Sequence, residues 1–163
     1  DLANNYGNLC QRVTAFVEKN CSSKIPTIKQ FNKEDLVMLN KFTNNLSTIR
    51  KEIDNQNINF YIKFIISALF EANKYFNDQE PWKKKGDKER LDVIIYTSLE
   101  MIRKISFMLY PIIPNSIKKA LSIFNLKVED INFESIGLHN CLKAADKINK
   151  IDILFKKIEK KDD

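Results

Sequence analysis

The chain has 163 residues and a net charge of +6, and a length of this order suits one domain. Its three glycines and four prolines are too few for the turns of a many-stranded sheet, which excludes most sandwiches and barrels. A content of 44% hydrophobic and 29% charged residues argues against disorder. The balance is +1 over residues 1–81 and +5 over residues 82–163. Such an excess fits contact with a nucleic-acid backbone, and equally an ordinary basic protein.

Residues suited to catalysis or metal binding are scarce. The cysteines, which lack C-x-x-C spacing, indicate reduced intracellular thiols that fill small gaps in a core, and the single histidine, His139, is expected in a loop or on the surface. We therefore predict no catalytic residue, metal site or cofactor in this chain. The absence of a signal peptide and of an apolar run of ~20 residues predicts a cytoplasmic protein without membrane contact. Because the chain opens without Met inside a helical pattern, we expect a piece of a larger protein.

Two helices are predicted in the first third of the chain. Apolar residues at helical spacing predict a first helix that ends near Asn20. A loop around Pro26 follows. A second helix is predicted from about Lys33 to Asp54, after an N-cap at Asn32, with Glu34 and Asp35 as favourable charges in its first turn. Its expected apolar face consists of Leu36, Leu39, Leu46 and Ile53.

The third predicted helix, from about Ile58 to Asn77, has the most regular apolar face, made by Ile58, Ile62, Ile65, Leu69, Ala72 and Phe76. Ile66 and Phe70 widen that face, which predicts burial on more than one side. After a loop that contains Trp82, Asp87 is the expected N-cap of a fourth helix, whose face carries Leu91, Ile95, Ser98, Ile102, Ile105 and Leu109.

A shorter fifth helix is predicted from Pro114 to about Asn125. The sequence thus predicts an all-α fold, an antiparallel bundle of four long helices and a short fifth over residues 1–137. A coiled coil is disfavoured because each apolar run lasts only about three heptads. We expect residues 138–163 to form a C-terminal segment that packs back on the bundle or is partly disordered.

Two groups of residues could contact an RNA. Asn4, Asn8 and Arg12 align beside the apolar face of the first helix, where amides and a planar guanidinium would suit base edges, or would simply be a solvated edge. Trp82 follows Pro81 in the loop and could stack on an unpaired base, or could cap the end of the core. Five basic residues after Trp82 could contact phosphates: Lys83, Lys84, Lys85, Lys88 and Arg90.

Several segments together resemble the C-terminal anticodon-binding domain of bacterial-type methionyl-tRNA synthetases, which are class I aminoacyl-tRNA synthetases. These segments are DLANNYGNLCQR (1–12), EANKYFNDQEPW (71–82), DKERL (87–91), LYPIIPNS (109–116) and LFKKIE (154–159), and they occur in the family's order and spacing. The resemblance covers nearly the whole chain, and several motifs in register are more specific than any one alone.

The resemblance implies recognition of the CAU anticodon of methionine tRNAs. It implies that Asn8 and Arg12 hydrogen-bond to anticodon bases, that Trp82 stacks on the first of them, and that Pro81 shapes that corner. Asn4, Asn73 and Tyr75 are expected to support the pocket.

For the parent protein the resemblance implies a methionine–tRNA ligase that uses ATP and Mg²⁺ in a catalytic domain of the same polypeptide. That domain's motifs are absent from this sequence, so this chain alone should be inactive. The segment LFKKIE would return toward the catalytic domain and could be poorly ordered here. Two alternatives stay open at this point. One is the same domain from a valine, isoleucine, leucine or cysteine enzyme, and the other is a helical protein-interaction bundle without an RNA role.

Overall fold

The structure, a computed structural model, describes residues 2–151 and 153–155. It contains five helices: α1 (Leu2–Asn20), α2 (Lys33–Asp54), α3 (Ile58–Gln79), α4 (Lys88–Leu109) and α5 (Pro114–Leu121). Single 3₁₀ turns lie at Pro81–Lys83, Ser122–Phe124, Val128–Asp130 and Glu134–Gly137. No strand occurs in this part of the chain. The predicted all-α fold is confirmed, and the first four helices begin and end close to the predicted residues. The fifth begins at Pro114 as predicted but ends at Leu121, and a 3₁₀ turn replaces the helix expected to run to about Asn125.

Local chemistry explains where the helices begin and end. The carboxylate of Asp35 accepts a hydrogen bond from the backbone of Asn32 at the start of α2 (2.7 Å). Asp87 caps α4 by accepting from the backbone N–H of Arg90 (3.1 Å). At the end of α3, Glu80 takes a left-handed backbone conformation (φ 46°), which turns the chain sharply before the proline that follows.

The fourth helix is the centre of the bundle. Every residue from Val93 to Leu109 is buried, and α4 packs against all four other helices. The sequence predicted only one apolar face for it, because polar residues interrupt the apolar pattern. Those polar side chains are buried as well: Thr97, Ser98, Glu100, Arg103, Lys104 and Ser106.

The predicted burial of α3 on more than one side is wrong. Ile66 and Phe70 are 47% and 65% exposed, and Ile58, at the start of the same helix, is also exposed. On α2, Ile53 is exposed too, and the buried face is formed by Asp35, Leu39, Phe42 and Ile49. Apolar periodicity identifies a stripe, but the neighbouring helices decide how much of that stripe they cover.

Residues 142–148 lie against α4 and the loop between α1 and α2. Tyr96 donates to the carbonyl of Leu142 (2.7 Å). Ile25 pairs through its backbone with the segment around Asp146 (2.9 Å), beside an isolated bridge between Lys24 and Lys147. The residues after Phe155, which include most of the LFKKIE segment, lie outside the described part. None of the helices described here is long and apolar enough to cross a membrane.

Candidate nucleic-acid interface

Trp82 lies on a stiff turn between α3 and α4. Pro81 begins this 3₁₀ turn and is buried, whereas Trp82 is 43% exposed. The indole packs edge-on against Phe76 of α3, with the two ring centroids 6.1 Å apart and the planes at 65°. One side of the tryptophan is thus supported by the bundle, and the rest is accessible for stacking.

Arg12 lies on the same phenylalanine. Its guanidinium carbon is 5.1 Å from the centroid of the Phe76 ring, a cation–π contact, and its Nη2 donates to Oδ1 of Asn77 (2.6 Å). Asn8, one turn earlier on α1, is exposed. Phe76, which is itself buried, therefore supports the two residues of one candidate surface, Arg12 and Trp82, which are 70 positions apart in the sequence.

A groove between α1 and α3 opens next to this surface. It is lined by Asn5, Phe70, Asn73, Lys74, Asn77 and Asp78. The Asn73 amide donates to the carbonyl of Leu69 in its own helix (3.1 Å) and, at 3.4 Å, to the carbonyl of Asn5. The α1 residue that lines the groove is thus Asn5, whereas the sequence pointed to the exposed Asn4.

Tyr75 and Arg90 belong to a network beneath the Trp82 turn. The two terminal guanidinium nitrogens of Arg90, Nη1 and Nη2, donate to Asp35 (2.8 and 3.0 Å), and Nη2 also donates to Gln79 (2.7 Å). The Tyr75 hydroxyl donates to the same carboxylate. Burial, together with this negative charge, raises the pKa of Tyr75 well above its ordinary value.

This network changes the role expected of Arg90. Its side chain is only 14% exposed and is held by a carboxylate with no exposure, so it is not available as a phosphate contact. Asp35, expected only as a favourable charge at a helix start, is instead the buried centre of the network. No local pattern in the sequence shows this, because its partner Arg90 is 55 positions away.

The four lysines after Trp82 fall into two classes. Lys83 pairs with Glu80 and Lys88 pairs with Asp92, each at 2.8 Å. Lys84 is half-buried and Lys85 is exposed, and within the described residues neither forms a salt bridge. Lys84 and Lys85 are therefore the cations most available to a phosphate.

Asn77 and Asn5 were missed as parts of this surface, and the buried Phe76 was missed as its support. Phe76 was assigned only to the apolar face of α3, where it also packs edge-on against Phe16 of α1 (6.2 Å). The spacing of Asn5, Asn8 and Arg12, at i, i+3 and i+7, was a usable signal because it defines one side of a helix.

Comparison with known proteins gives one consistent family. Residues 25–163 match the family model described as the anticodon binding domain of methionyl tRNA ligase. A methionine–tRNA ligase of Brucella suis is 35% identical over 137 residues, which are 83% of this chain and 27% of that protein. The ligase of Rickettsia felis is 33% identical over 98% of this chain and 32% of its own length.

Solved structures agree with the sequence comparisons. The apo crystal structure of Mycobacterium tuberculosis methionyl-tRNA synthetase aligns with a TM-score of 0.87 and 27% identity, over 96% of this chain and 32% of that one. The chain thus spans about a quarter to a third of the length of the relatives it matches.

Proposed function

Because this chain belongs to the family of anticodon-binding domains of methionyl-tRNA ligases, we propose that it recognises the CAU anticodon of methionine tRNAs through unpaired bases. The observation that carries the proposal is the shared contact of Arg12 and Trp82 with Phe76. It holds a planar cation and a half-exposed indole against the same ring. Single-stranded loops are read in this way, by stacking on aromatic rings and by hydrogen bonds to base edges.

Each residue has a distinct task in this proposal. Trp82 supplies the stacking surface for the first anticodon base, and Pro81 holds the turn that presents it. Arg12 has five N–H donors, and its bond to Asn77 uses only one of them, so the others can reach a base edge beside Asn8. Asn73 and Tyr75 act as supports, the first at the groove and the second through Asp35.

We further propose that the chain works as one part of a cytoplasmic methionine–tRNA ligase. The relatives that carry this name are three to four times longer than the matched segment. ATP and Mg²⁺ would be used in a catalytic domain of the same polypeptide, and methionine would be attached to the tRNA there. The family match does not favour a synthetase for another amino acid or a protein-interaction bundle.

Replacement of Trp82 by alanine tests the proposed site. Removal of one stacking surface is expected to weaken binding of a CAU anticodon stem-loop by ~1–3 kcal/mol. Isothermal titration calorimetry with the 163-residue chain measures the change. Because Trp82 is 43% exposed, the variant should keep its fold, which a circular dichroism melting curve checks.

The conservative variant Trp82→Phe should retain most of the affinity, since it keeps an aromatic face. Stem-loops with valine, isoleucine, leucine or cysteine anticodons provide the specificity control and should bind more weakly than CAU. Unchanged binding of CAU by a folded Trp82→Ala variant would contradict the site assignment.

A further inference from the structure

We propose that Lys24 and Lys147, which lie opposite each other where three loops meet, bind the phosphate backbone of the RNA stem next to the anticodon loop. This inference rests on the proposed RNA-binding function and adds a contact outside the Trp82 turn and outside the groove between α1 and α3. Both lysines are exposed, and neither forms a salt bridge with any residue that the structure describes.

The junction of the three loops is held by hydrogen bonds to the backbone. Its segments follow α1, follow α5 and belong to the C-terminal part of the chain: residues 22–25, 122–125 and 145–149. The backbone N–H of Ile148 donates to the carbonyl of Ser23 (2.7 Å). The side chain of Asn125 donates to the carbonyl of Lys147 (3.0 Å). The backbone on which Lys147 stands is therefore fixed by both of the other segments.

The hydrogen-bond pattern brings the two lysines close together. Lys24 and Lys147 form an isolated antiparallel bridge. One flanking bond runs from the N–H of Ile25 to the carbonyl of Asp146 (2.9 Å), and the other is the bond to the carbonyl of Ser23. The bonds thus lie on either side of the lysine pair, which makes it a non-hydrogen-bonded pair, with Cα atoms about 4.5 Å apart. Like charges that face each other in such a pair destabilise the fold.

The junction also contains most of the left-handed backbone in the described part of the chain. Four of the six residues with a positive φ lie there, and none of them is a glycine: Ser22, Ser23, Asn125 and Ala145. These conformations cost free energy and are concentrated at ligand-binding sites in proteins generally. An anion bound between the two ammonium groups would offset their repulsion, so a phosphate ligand accounts for a feature that folding alone does not favour.

The other charges around the junction keep it positive. Lys143 and Lys150 are exposed next to the third segment. Two acidic residues lie nearby, Asp146 within that segment and Glu18, which pairs with Lys150 (3.7 Å). Two carboxylates do not neutralise four lysines, and the surplus favours an extended polyanion such as an RNA backbone.

The junction lies at the end of the bundle that carries the Trp82 turn. The contact between Arg12 and Asn77 places the second half of α1 beside the end of α3, and the junction begins shortly after α1 ends at Asn20. From Arg12 to Asn20 the helix spans about 12 Å. Because stacked bases are about 3.4 Å apart, a strand with one base at Arg12 would reach the junction after about three or four more nucleotides. That distance favours the adjoining stem over the anticodon itself.

Two RNAs separate a stem contact from a loop contact. One is a CAU anticodon stem-loop with its full stem, and the other keeps the loop on a shortened stem. We expect the double variant Lys24→Gln and Lys147→Gln to bind the full stem-loop more weakly. The slope of its log K against log salt should decrease by about 0.9 for each phosphate of the double strand that is no longer neutralised. The shortened RNA should bind the variant and the original chain alike, as measured by fluorescence anisotropy at several salt concentrations.

A matched control removes the same charge elsewhere. Lys51→Gln with Lys63→Gln changes two exposed lysines of α2 and α3 and should leave the slope nearly unchanged. The Lys24 and Lys147 variant should keep the preference for CAU over other anticodons, because phosphate contacts carry no sequence information. Its melting temperature should rise at low salt, since the change removes two facing positive charges.

The outcomes distinguish this inference from the proposed function. If the Lys24 and Lys147 variant binds like the control while Trp82→Ala is weakened, the junction does not contact RNA and the anticodon site stands. If the variant loses equal affinity for the full and the shortened RNA, the assignment to the stem is wrong. If the original chain binds stem-loops with all anticodons equally well, the proposed function itself fails, whatever the lysine variants do.

Discussion

At the residue scale, the side chain of Asp35 connects three helices. It caps the start of α2 through Asn32, accepts the hydroxyl of Tyr75 from α3, and pairs with Arg90 in the first turn of α4. Arg90 also holds Gln79, the last residue of α3. The turn that presents Trp82 therefore lies between two helix ends that one buried carboxylate keeps together.

Removal of that carboxylate should cost much of the stability. Asp35→Ala leaves Arg90 without its charged partner, and breaking a buried ion pair from one side costs about 3–5 kcal/mol. Urea denaturation followed by circular dichroism measures the free energy of unfolding. Glu34→Ala, the neighbouring exposed carboxylate, should change it by less than about 0.5 kcal/mol. Equal effects of the two variants would show that Asp35 acts only as a charge at the helix start.

At the element scale, the charged side chains of the buried helix α4 form hydrogen bonds that explain why they are buried. Glu100 accepts the Arg103 Nε–H (2.6 Å) and the backbone N–H groups of Cys141 and Leu142 (2.5 and 3.1 Å). Arg103 donates to the carbonyls of Ser135 and Leu138 (3.0 and 3.1 Å). These side chains satisfy backbone groups of a segment with little regular structure, as buried polar groups require.

Lys104 should make the stability depend on pH. Its ammonium donates to the carbonyl of Ile136 (2.7 Å) and is fully buried. Burial, with the nearby Arg103, lowers the pKa of Lys104 from 10.5 to about 8. Between about pH 8 and pH 10.5 the unfolded chain therefore binds more protons at this site, so the contribution of Lys104 to stability rises with pH, by at most about 1.4 kcal/mol per unit.

The comparison with Lys104→Met isolates this contribution. Cys10 acts in the opposite direction, because burial raises its pKa to about 12, so its contribution to stability falls as pH rises above the ordinary pKa of a thiol. Subtracting the unfolding free energies of the variant from those of the original chain, at each pH from about 8 to about 10, removes that common effect. The difference should grow with pH, and a flat difference would mean that Lys104 keeps an ordinary pKa.

At the scale of the whole molecule, the fold divides the positive charge into structural and available cations. Arg90 and Arg103 are held inside by carboxylates, and Lys83 and Lys88 have acidic neighbours. The net charge of +6 therefore does not by itself indicate which basic residues are available to contact phosphates. Lys84 and Lys85 follow Trp82 closely in the chain, and we propose them as the phosphate contacts.

The salt dependence of RNA binding should reveal those contacts. In the double variant Lys84→Gln and Lys85→Gln, the slope of log K against log salt should decrease by about 0.7–0.9 for each phosphate that is no longer neutralised. Lys51→Gln with Lys63→Gln is a control with the same change of charge, since both lysines are exposed on α2 and α3 and lie far along the chain from the Trp82 turn. Fluorescence anisotropy at several salt concentrations gives the slopes. Equal slopes for the two double variants would mean that Lys84 and Lys85 contribute only through the net charge of the protein and do not contact the RNA backbone directly.

Much of the architecture was readable from the sequence, because helix ends depend on near neighbours. Asn32 and Asp87 mark the starts of α2 and α4, and Pro114 marks the start of α5. The helical spacing predicted an all-α bundle, and motif order indicated the family that the comparisons then showed. The position of Trp82 in a loop after Pro81 was equally local information.

Only the tertiary structure decided which side of each helix is covered and which charges are occupied. It surrounds α4 completely, leaves Phe70 in solvent, and turns Arg90 inward onto Asp35. It also brings Arg12 and Trp82 together as neighbours of one phenylalanine. Periodicity and capping act over a few residues, whereas burial and ion pairing depend on partners tens of residues away, which no local pattern specifies.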